Sequence, residues 1–321
     1  GMSSMDADHP SYVGWPGMHG NYGANVLTNS CDVLIAIGMR FDDRITGDLS
    51  TYAKQAKVVH IEIDPSEIDK NVKADAPVVG DAKAALKALL PLVNKADHKE
   101  WRAEFKKYDD EEYEKITKKD LFHEGDKIKM GEAVNLLSTK TKGEAVVVTD
   151  VGQHQMITNR YYRFKKRNSI VTSGGAGTMG FALPAAFGAK VAVPEREVVA
   201  IIGDGGFQMT LQELGTIAQS GLPVKIIILN NNFLGMVRQW QQLFFDNRYS
   251  FVELQNPDFI TIAKGFGIAG HTVSDRANLS DSLDTLLNSD KPYLLEIICE
   301  KEENVFPMVP AGGCVTSVRL E

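Results

Sequence analysis

At 321 residues the chain is long enough for about two domains of roughly 150 residues each. Apolar residues make up 43% and charged residues 24%, ordinary for a soluble globular protein, and the net charge of −7 gives non-specific nucleic-acid binding no electrostatic support. Three cysteines (Cys31, Cys299, Cys314) lack CxxC or zinc-type spacing, no apolar run approaches the roughly 18 residues of a membrane helix, and no basic-then-apolar leader is present, so a cytoplasmic protein in a reducing compartment is the expectation.

The first predicted unit is α/β and spans 1–95. Glycine-rich GMHG (17–20) opens a helix over 21–30. CDVLIAIG (31–38) and KVVHIEID (57–64) are short β-branched runs that read as strands, and PVVGD (77–81) is a third. Apolar residues at helical spacing follow in AKAALKALLPLV (82–93). Residues 96–129 differ, with both charge signs interspersed, and are expected to be exposed helix plus linker between two domains.

From 130 to 321 helices and strands alternate. Helices are predicted over 131–140, 153–162, 178–192, 208–220, 257–265 and 277–288. Strands are predicted over 144–150, 169–173, 197–204, 224–231, 270–273 and 292–300. Continuous apolar strands between helices imply a mainly parallel sheet buried on both faces, with ligands beyond the carboxyl ends of the strands. Asp150, Ser173, Asp204 and Asn231 all fall at such ends.

Two of these ends carry unusual chemistry. Ala200-Ile201-Ile202 runs into Gly203-Asp204-Gly205-Gly206, and VKIIILNNNFLGM (224–236) runs into three asparagines and a glycine. Asn231 lies 27 residues after Asp204, the span of one strand-helix-strand crossover. A carboxylate and a carboxamide on adjacent strand ends supply two oxygens for Mg²⁺, which otherwise takes phosphate oxygens and water. Gly205 and Gly206 let backbone approach a phosphate, and the helix expected near Gln208 offers free N–H groups. The plainer alternative is a helix cap at Asp204 and an asparagine turn.

Gly175-Ala-Gly177-Thr-Met-Gly180 matches G-x-G-x-x-G after a strand, and Asp204 follows Gly180 by 24 residues, so a nicotinamide dinucleotide site is arithmetically possible. Nothing in that alternative explains the three asparagines. Gln153 and His154, just past a strand end, are candidate phosphate donors. Met236 and Trp240, four apart, form either a core stripe or the wall of a small substrate pocket. GMRFDDRITGD (38–48), GMHG and Glu62 form either an adenosine-diphosphate site or a surface salt-bridge cluster.

Taken together, GDGG with NN resembles the thiamine diphosphate (ThDP) motif. VGQHQM (151–156), SGGAGTMGFALPAAFGA (173–189), GMVRQWQ (235–241), GMHG, GMRFDDRITG (38–47), NPDFITIAKGFGI (256–268) and PMVPAGG (307–313) resemble the acetolactate synthase large subunit family over nearly the whole chain. The resemblance implies two doubly wound parallel-sheet α/β domains, a central FAD-binding-like one and a ThDP-binding one. It implies condensation of two 2-oxo acids, pyruvate with pyruvate or 2-oxobutanoate, at the start of branched-chain amino acid synthesis. Asp204, Asn231 and the Phe233 carbonyl would hold Mg²⁺; Val151, Gly152, Gln153, His154, Gly177, Gly205 and Gly206 would line the ThDP site. Met179 would keep the cofactor bent, and Met236 and Trp240 would line the acceptor pocket. FAD would rest on Gly17, Met18, His19, Gly38, Met39, Arg40, Phe41, Asp42, Glu62, Ile63, Asp81 and Ala82. A homodimer or homotetramer and a small regulatory subunit are the implied partners; pyruvate oxidases, other ThDP carboligases and a non-catalytic nucleotide-binding module remain alternatives. Family chains also carry a pyrimidine-binding domain with an activating glutamate that no residue here matches, so this chain is expected to be a C-terminal part, inactive alone, with FAD binding in doubt.

Overall fold

A computed structural model describes residues 1–321, which divide into two compact units. One unit comprises Val13–Thr117 with Phe306–Glu321. Its elements are α1 (Tyr22–Ser30), β1 (Val33–Ile37), α2 (Asp43–Thr46), β2 (Lys57–Glu62), β3 (Ala76–Val79), α3 (Ala82–Leu89) and α4 (Lys99–Glu112). The strands pair in parallel in the order β1-β2-β3. Right-handed crossovers stepping one way across a sheet lie on a single face. Accordingly Phe41, Tyr52, Ala53 and Val72, all from the two connections, pack with Ala36 and Val58 on one side. On β1, Val33, Ile35 and Ile37 stay 42–50% exposed.

The charged stretch expected to be exposed helix plus linker contains the helix α4, which packs on α1. Glu112 accepts hydrogen bonds from Asn21 Nδ2 (3.0 Å) and the Tyr22 amide (2.6 Å), and the Tyr22 and Tyr108 rings meet edge-on at 4.9 Å. Charge density marks the helix's outer face and concealed this inner one. The expected boundaries at 95 and 130 therefore differ from the compact units. The last sixteen residues also return to this unit, where the Val309 amide donates to the Met18 carbonyl and Val315 joins the core.

The other unit comprises Gly1–Tyr12 and Lys118–Val305. Residues 1–12, expected in the first domain, dock here through hydrogen bonds from Ala7 N to Phe164 O and from Ser169 N to Ser3 Oγ. Its elements are α5 (Lys118–Leu121), α6 (Met130–Lys140), β4 (Val146–Thr149), α7 (Gln153–Tyr161), β5 (Ile170–Thr172), α8 (Ala182–Ala192), β6 (Val198–Gly203), α9 (Asp204–Thr210), α10 (Leu214–Ser220), β7 (Lys225–Asn230), α11 (Gly235–Phe244), α12 (Phe259–Gly265), β8 (Ala269–Val273), α13 (Leu279–Leu287) and β9 (Tyr293–Ile298). The six strands are parallel in the order β5-β4-β6-β7-β9-β8. Side chains alternate between two cores, as strand geometry requires. On β6, Val199 and Ile201 enter one cluster while Val198, Ala200 and Ile202 enter the other. Helices cover both faces, so this sheet is doubly wound. No helix is long and apolar enough to cross a membrane.

Beside α6, the Glu303 carboxylate accepts the Met130 amide at 3.1 Å, and nearby Tyr161 donates to Asp120 at 2.5 Å. Burial lifts the Glu303 carboxyl from its ordinary 4.5 to about 7; the Asp120 charge adds to this, and the Met130 amide and Lys129 oppose it. Folding therefore favours the neutral acid. That contribution is complete below the unfolded value near 4.5 and is lost as pH rises through about 7. Glu303→Gln should remove the loss. Melting at pH 5 and at pH 8 is expected to show the variant gaining on the parent at the higher pH, by roughly 3 kcal/mol at about 1.4 kcal/mol per unit.

Candidate functional site

The large sheet changes winding direction between β4 and β6. From β4 the chain moves outward to β5, and from β6 it moves the other way to β7. α7 leaves β4 and buries Ile157 and Tyr161 in one core; α9 and α10 leave β6 and bury Phe207, Leu214 and Ile217 in the other. Loops diverging to opposite faces leave a crevice beyond the strand ends, where sheets of this kind take ligands. Residues 150–154 and 203–206 flank it.

Asp204 is 2% exposed. It is the first helical residue of α9, with Gly203 as cap, so the helix begins four residues before the expected Gln208. The first-turn N–H groups that a helix leaves unsatisfied are thus those of Asp204, Gly205 and Gly206. The carboxylate accepts the Gly205 amide at Oδ1 (3.0 Å) and Asn256 Nδ2 at Oδ2 (2.8 Å). Burial pushes its pKa up to about 6, against the hydrogen bonds from Asn256 and from the Gly205 and Asn232 amides.

β6 and β7 pair with Gly203 opposite Leu229, which sets the next residues, Asp204 and Asn230, side by side. Asn256 spans both turns. Its amino group lies 2.8 Å from Asp204 Oδ2, 3.0 Å from Asn230 Oδ1 and 3.1 Å from Asn232 Oδ1. Asn232 adopts φ +56°, a left-handed conformation that asparagine tolerates better than most residues. Past it, hydrogen bonds from Leu234 N to Val252 O (2.8 Å) and from Leu254 N to Asn232 O (2.9 Å) fix the backbone on both sides of Phe233.

Asn231 donates through Nδ2 to Gln153 Oε1 at 3.2 Å, and its Oδ1 accepts the Phe233 amide at 3.2 Å. Gln153 in turn donates to the Glu303 carbonyl (2.8 Å) and to Gln239 (3.2 Å). Gln153 is therefore tied into the fold beside Asn231, in place of the free phosphate donor expected from sequence. His154 differs. Burial lowers its pKa to about 4, opposed by Asp150, and its buried Nε2 has no partner within the chain. A Cβ on Gly203 would sit 2.7 Å from its Nδ1, so glycine is what lets the ring lie against the end of β6. Val151 and Gly152 are half-buried at the end of β4. Met179 Cε is 4.0 Å from where a Gly205 Cβ would stand, beside the Asp204 turn, and Gly177 is exposed at φ +63°. On α11, Met236 packs against the core and half-buried Trp240 lies 5.1 Å from the Phe244 ring.

The nicotinamide alternative fails on topology. β4 lies between β5 and β6, so Asp204 does not end the strand beside the glycine turn, and its carboxylate is held by Asn256.

In the smaller unit, residues 38–42, 62–63 and 81–82 follow the ends of β1, β2 and β3 along one edge, since Ile37 pairs with Ile61 and Glu62 with Val79. The Met18 amide donates to the Arg44 carbonyl at 2.7 Å, bringing the Gly17–His19 turn to the same segment. His60 bonds the Met39 carbonyl at 2.7 Å, and Phe41 packs on His60 at φ +51°. Asp42 and Asp81 cap helices through the Arg44 and Ala84 amides, Arg40 pairs with Asp42 at 3.3 Å, and Glu62 accepts the Ile63 amide at 2.8 Å. Gly38 is at φ +62°, and Ile63 and Ala82 are at least partly open to solvent.

Two residues at the large sheet's site, Asn256 and Glu296, escaped sequence reasoning, and a third, Asp150, was read there only as a strand end. Asp150 accepts the Val151, Gly180 and Ala182 amides at 2.9–3.0 Å, binding the glycine-rich turn to β4. Asn256 gathers the turns after β6 and β7. Glu296, on β9, accepts from Asn230 Nδ2 at 2.7 Å and from Thr272 at 2.7 Å. The quoted run from 256 to 268 held Asn256, but nothing in its spacing linked it to Asp204.

Comparison with known proteins gives a consistent outcome. Residues 150–297 match the thiamine pyrophosphate enzyme C-terminal TPP-binding domain, and residues 1–89 match the thiamine pyrophosphate enzyme central domain. The chain is 45% identical over 314 residues to the acetolactate synthase isozyme 2 large subunit of Escherichia coli, covering 98% of this chain and 56% of that protein. It is 41% identical over 314 residues to the acetolactate synthase large subunit of Lactococcus lactis (97% and 54% covered). It is 40% identical over 331 residues to chloroplastic acetolactate synthase 1 of Oryza sativa (100% and 51% covered). The chain spans about half the length of the curated relatives it matches.

A Cβ on Gly206 would meet Asp150 Oδ1 at 2.5 Å. Gly206→Ala should displace this carboxylate from the amides it holds and cost about 2–4 kcal/mol in thermal or urea unfolding. A change under about 0.5 kcal/mol would mean that the Asp150 clamp yields freely.

Proposed function

The chain belongs to the thiamine pyrophosphate enzyme family, and on that premise we propose that it supplies the metal-and-diphosphate half of an acetolactate synthase large subunit. The reaction decarboxylates pyruvate and joins the remaining two-carbon unit to a second pyruvate or to 2-oxobutanoate, for branched-chain amino acid synthesis. The supporting observation is that the turns after β6 and β7 meet around one carboxamide, Asn256.

The residues present suit the cofactor. A buried carboxylate whose pKa is lifted to about 6 is an incomplete site that a divalent cation completes. The neutral, buried His154 keeps a ring nitrogen without a partner in the chain. Asp204, the Asn231 carboxamide oxygen and the Phe233 carbonyl would hold Mg²⁺. The Gly205 and Gly206 amides, His154, Val151, Gly152 and Gly177 would face the diphosphate, with Gln153 holding Asn231. ThDP supplies the nucleophilic carbon on which a 2-oxo acid loses carbon dioxide. Met179 would bear on the middle of the cofactor, while Met236 and Trp240 would keep water from the acceptor pocket. In the smaller unit, the Gly17–His19 turn and the edge formed by 38–42, 62–63 and 81–82 would carry FAD. A homodimer or homotetramer and a small regulatory subunit are the partners this function carries with it.

Calorimetric titration with ThDP tests the assignment. Binding should require Mg²⁺, disappear in EDTA, and weaken on the order of 100-fold or more in Asp204→Ala; NAD should give no heat. Metal-independent ThDP binding by Asp204→Ala would refute it. Acetolactate formation from pyruvate by the native polypeptide tests the reaction itself.

A further inference from the structure

The turns after β6 and β7 are not joined to each other directly by the groups proposed to touch the cation. Besides the Asn232 amide, which reaches the Asp204 carboxylate, they are joined by Asn256, from the segment before α12, 52 residues after Asp204 and 25 after Asn231. Its orientation is fixed. Gln208 Nε2 donates to Asn256 Oδ1 at 2.9 Å, so the amino group must face the other way, where it meets Asp204, Asn230 and Asn232. Asn230 is oriented as well. The Glu296 carboxylate can only accept, and it takes Asn230 Nδ2 at 2.7 Å and Thr272 Oγ1 at 2.7 Å, so Asn230 presents its oxygen to Asn256 and to the Asn232 amide (3.0 Å). A hydrogen-bonded path thus runs from Thr272 through Glu296, Asn230 and Asn256 to Asp204, across β8, β9, β7 and β6.

We propose that Asn256 is a positioning residue for the divalent cation, aiming the Asp204 carboxylate and the Asn230–Asn232 turn toward one ion, and that Glu296 sets it in place through Asn230. The inference rests on the cation site proposed above at Asp204 and Asn231. Asn256 donates to the carboxylate oxygen that the Gly205 amide leaves free, Oδ2, and so fixes the rotation of the group. Outer partners of this kind typically alter metal affinity by about 10–100-fold. Glu296 acts two hydrogen bonds away. In Glu296→Gln the new amide can present N–H to Asn230 and reverse it, turning a donor toward the donor of Asn256.

The test measures Mn²⁺ by electron paramagnetic resonance and Mg²⁺ by calorimetry, each at saturating ThDP, on the parent protein, Asn256→Ala, Glu296→Gln, the double variant and Asp204→Ala. The expected result is affinity for both cations reduced about 10-fold or more in Asn256→Ala and by a smaller factor in Glu296→Gln. The double variant should be no weaker than Asn256→Ala, because both changes break one path. A purely structural role would instead lower the melting temperature and give multiplying losses of affinity. Parent-like cation affinity in Asn256→Ala, or multiplying effects in the double variant, overturns the proposal. Absence of metal-dependent binding in the parent, or its survival in Asp204→Ala, overturns the underlying cation site instead. If Asn256→Ala does not fold, the near-isosteric Asn256→Leu, which has no donor for Asp204, is measured in the same way, and parent-like cation affinity there overturns the proposal.

Discussion

A carboxylate buried at the end of a parallel strand must be met by donors or by a cation, because burial penalises its charge by several kcal/mol otherwise. The large sheet contains this situation twice, at Asp150 after β4 and Asp204 after β6, and resolves it differently. Asp150 is fully buried and takes three main-chain amides, so the chain satisfies it and uses it to fasten the glycine-rich turn. Asp204 receives its own neighbour's amide, the Asn232 amide and one borrowed carboxamide, and its pKa stays lifted. The first is a structural anchor; the second keeps a buried charge that its donors offset only in part.

Position follows from winding. The reversal of strand order between β4 and β6 opens the crevice whatever side chains stand there, and the side chains then decide its chemistry. Glycine at 203 admits the His154 ring, glycine at 206 admits the Asp150 carboxylate, and Gly235 admits Gln153, whose Oε1 would lie 2.1 Å from a Cβ there. Each of these glycines serves a close approach of polar groups.

Most of this was legible in the chain of letters. Apolar runs broken by Gly-Asp-Gly-Gly and Asn-Asn-Asn gave the strand ends, and one crossover's spacing made them neighbours. Local patterns carry that information because strand, turn and helix starts are local events. Asn256 and Glu296 were hidden because their partners lie 52 and 66 residues away, and hydrogen-bond partnership at that separation leaves no periodicity. The dinucleotide-like turn left a nicotinamide alternative open for a related reason. Its spacing to Asp204 was right, but only the sheet order reveals β4 between the two. Likewise α4 looked like an exposed helix because its outward charges dominate its composition, while Glu112 and Tyr108 on the inner side hold α1.

The pairing of Gly203 with Leu229 has a consequence for how freely the crossover can change. The ladder between β6 and β7 keeps the two turns abreast, whereas the intervening chain only has to return. Extra residues at 221–223, a left-handed helix end with open space beyond Gly221, would lengthen the detour and leave the two turns level. Removing a single residue within β7 would slide one turn past the other and invert the side chains that follow. Tolerance to length variation should therefore be generous on the amino-terminal side of that strand and nil inside it.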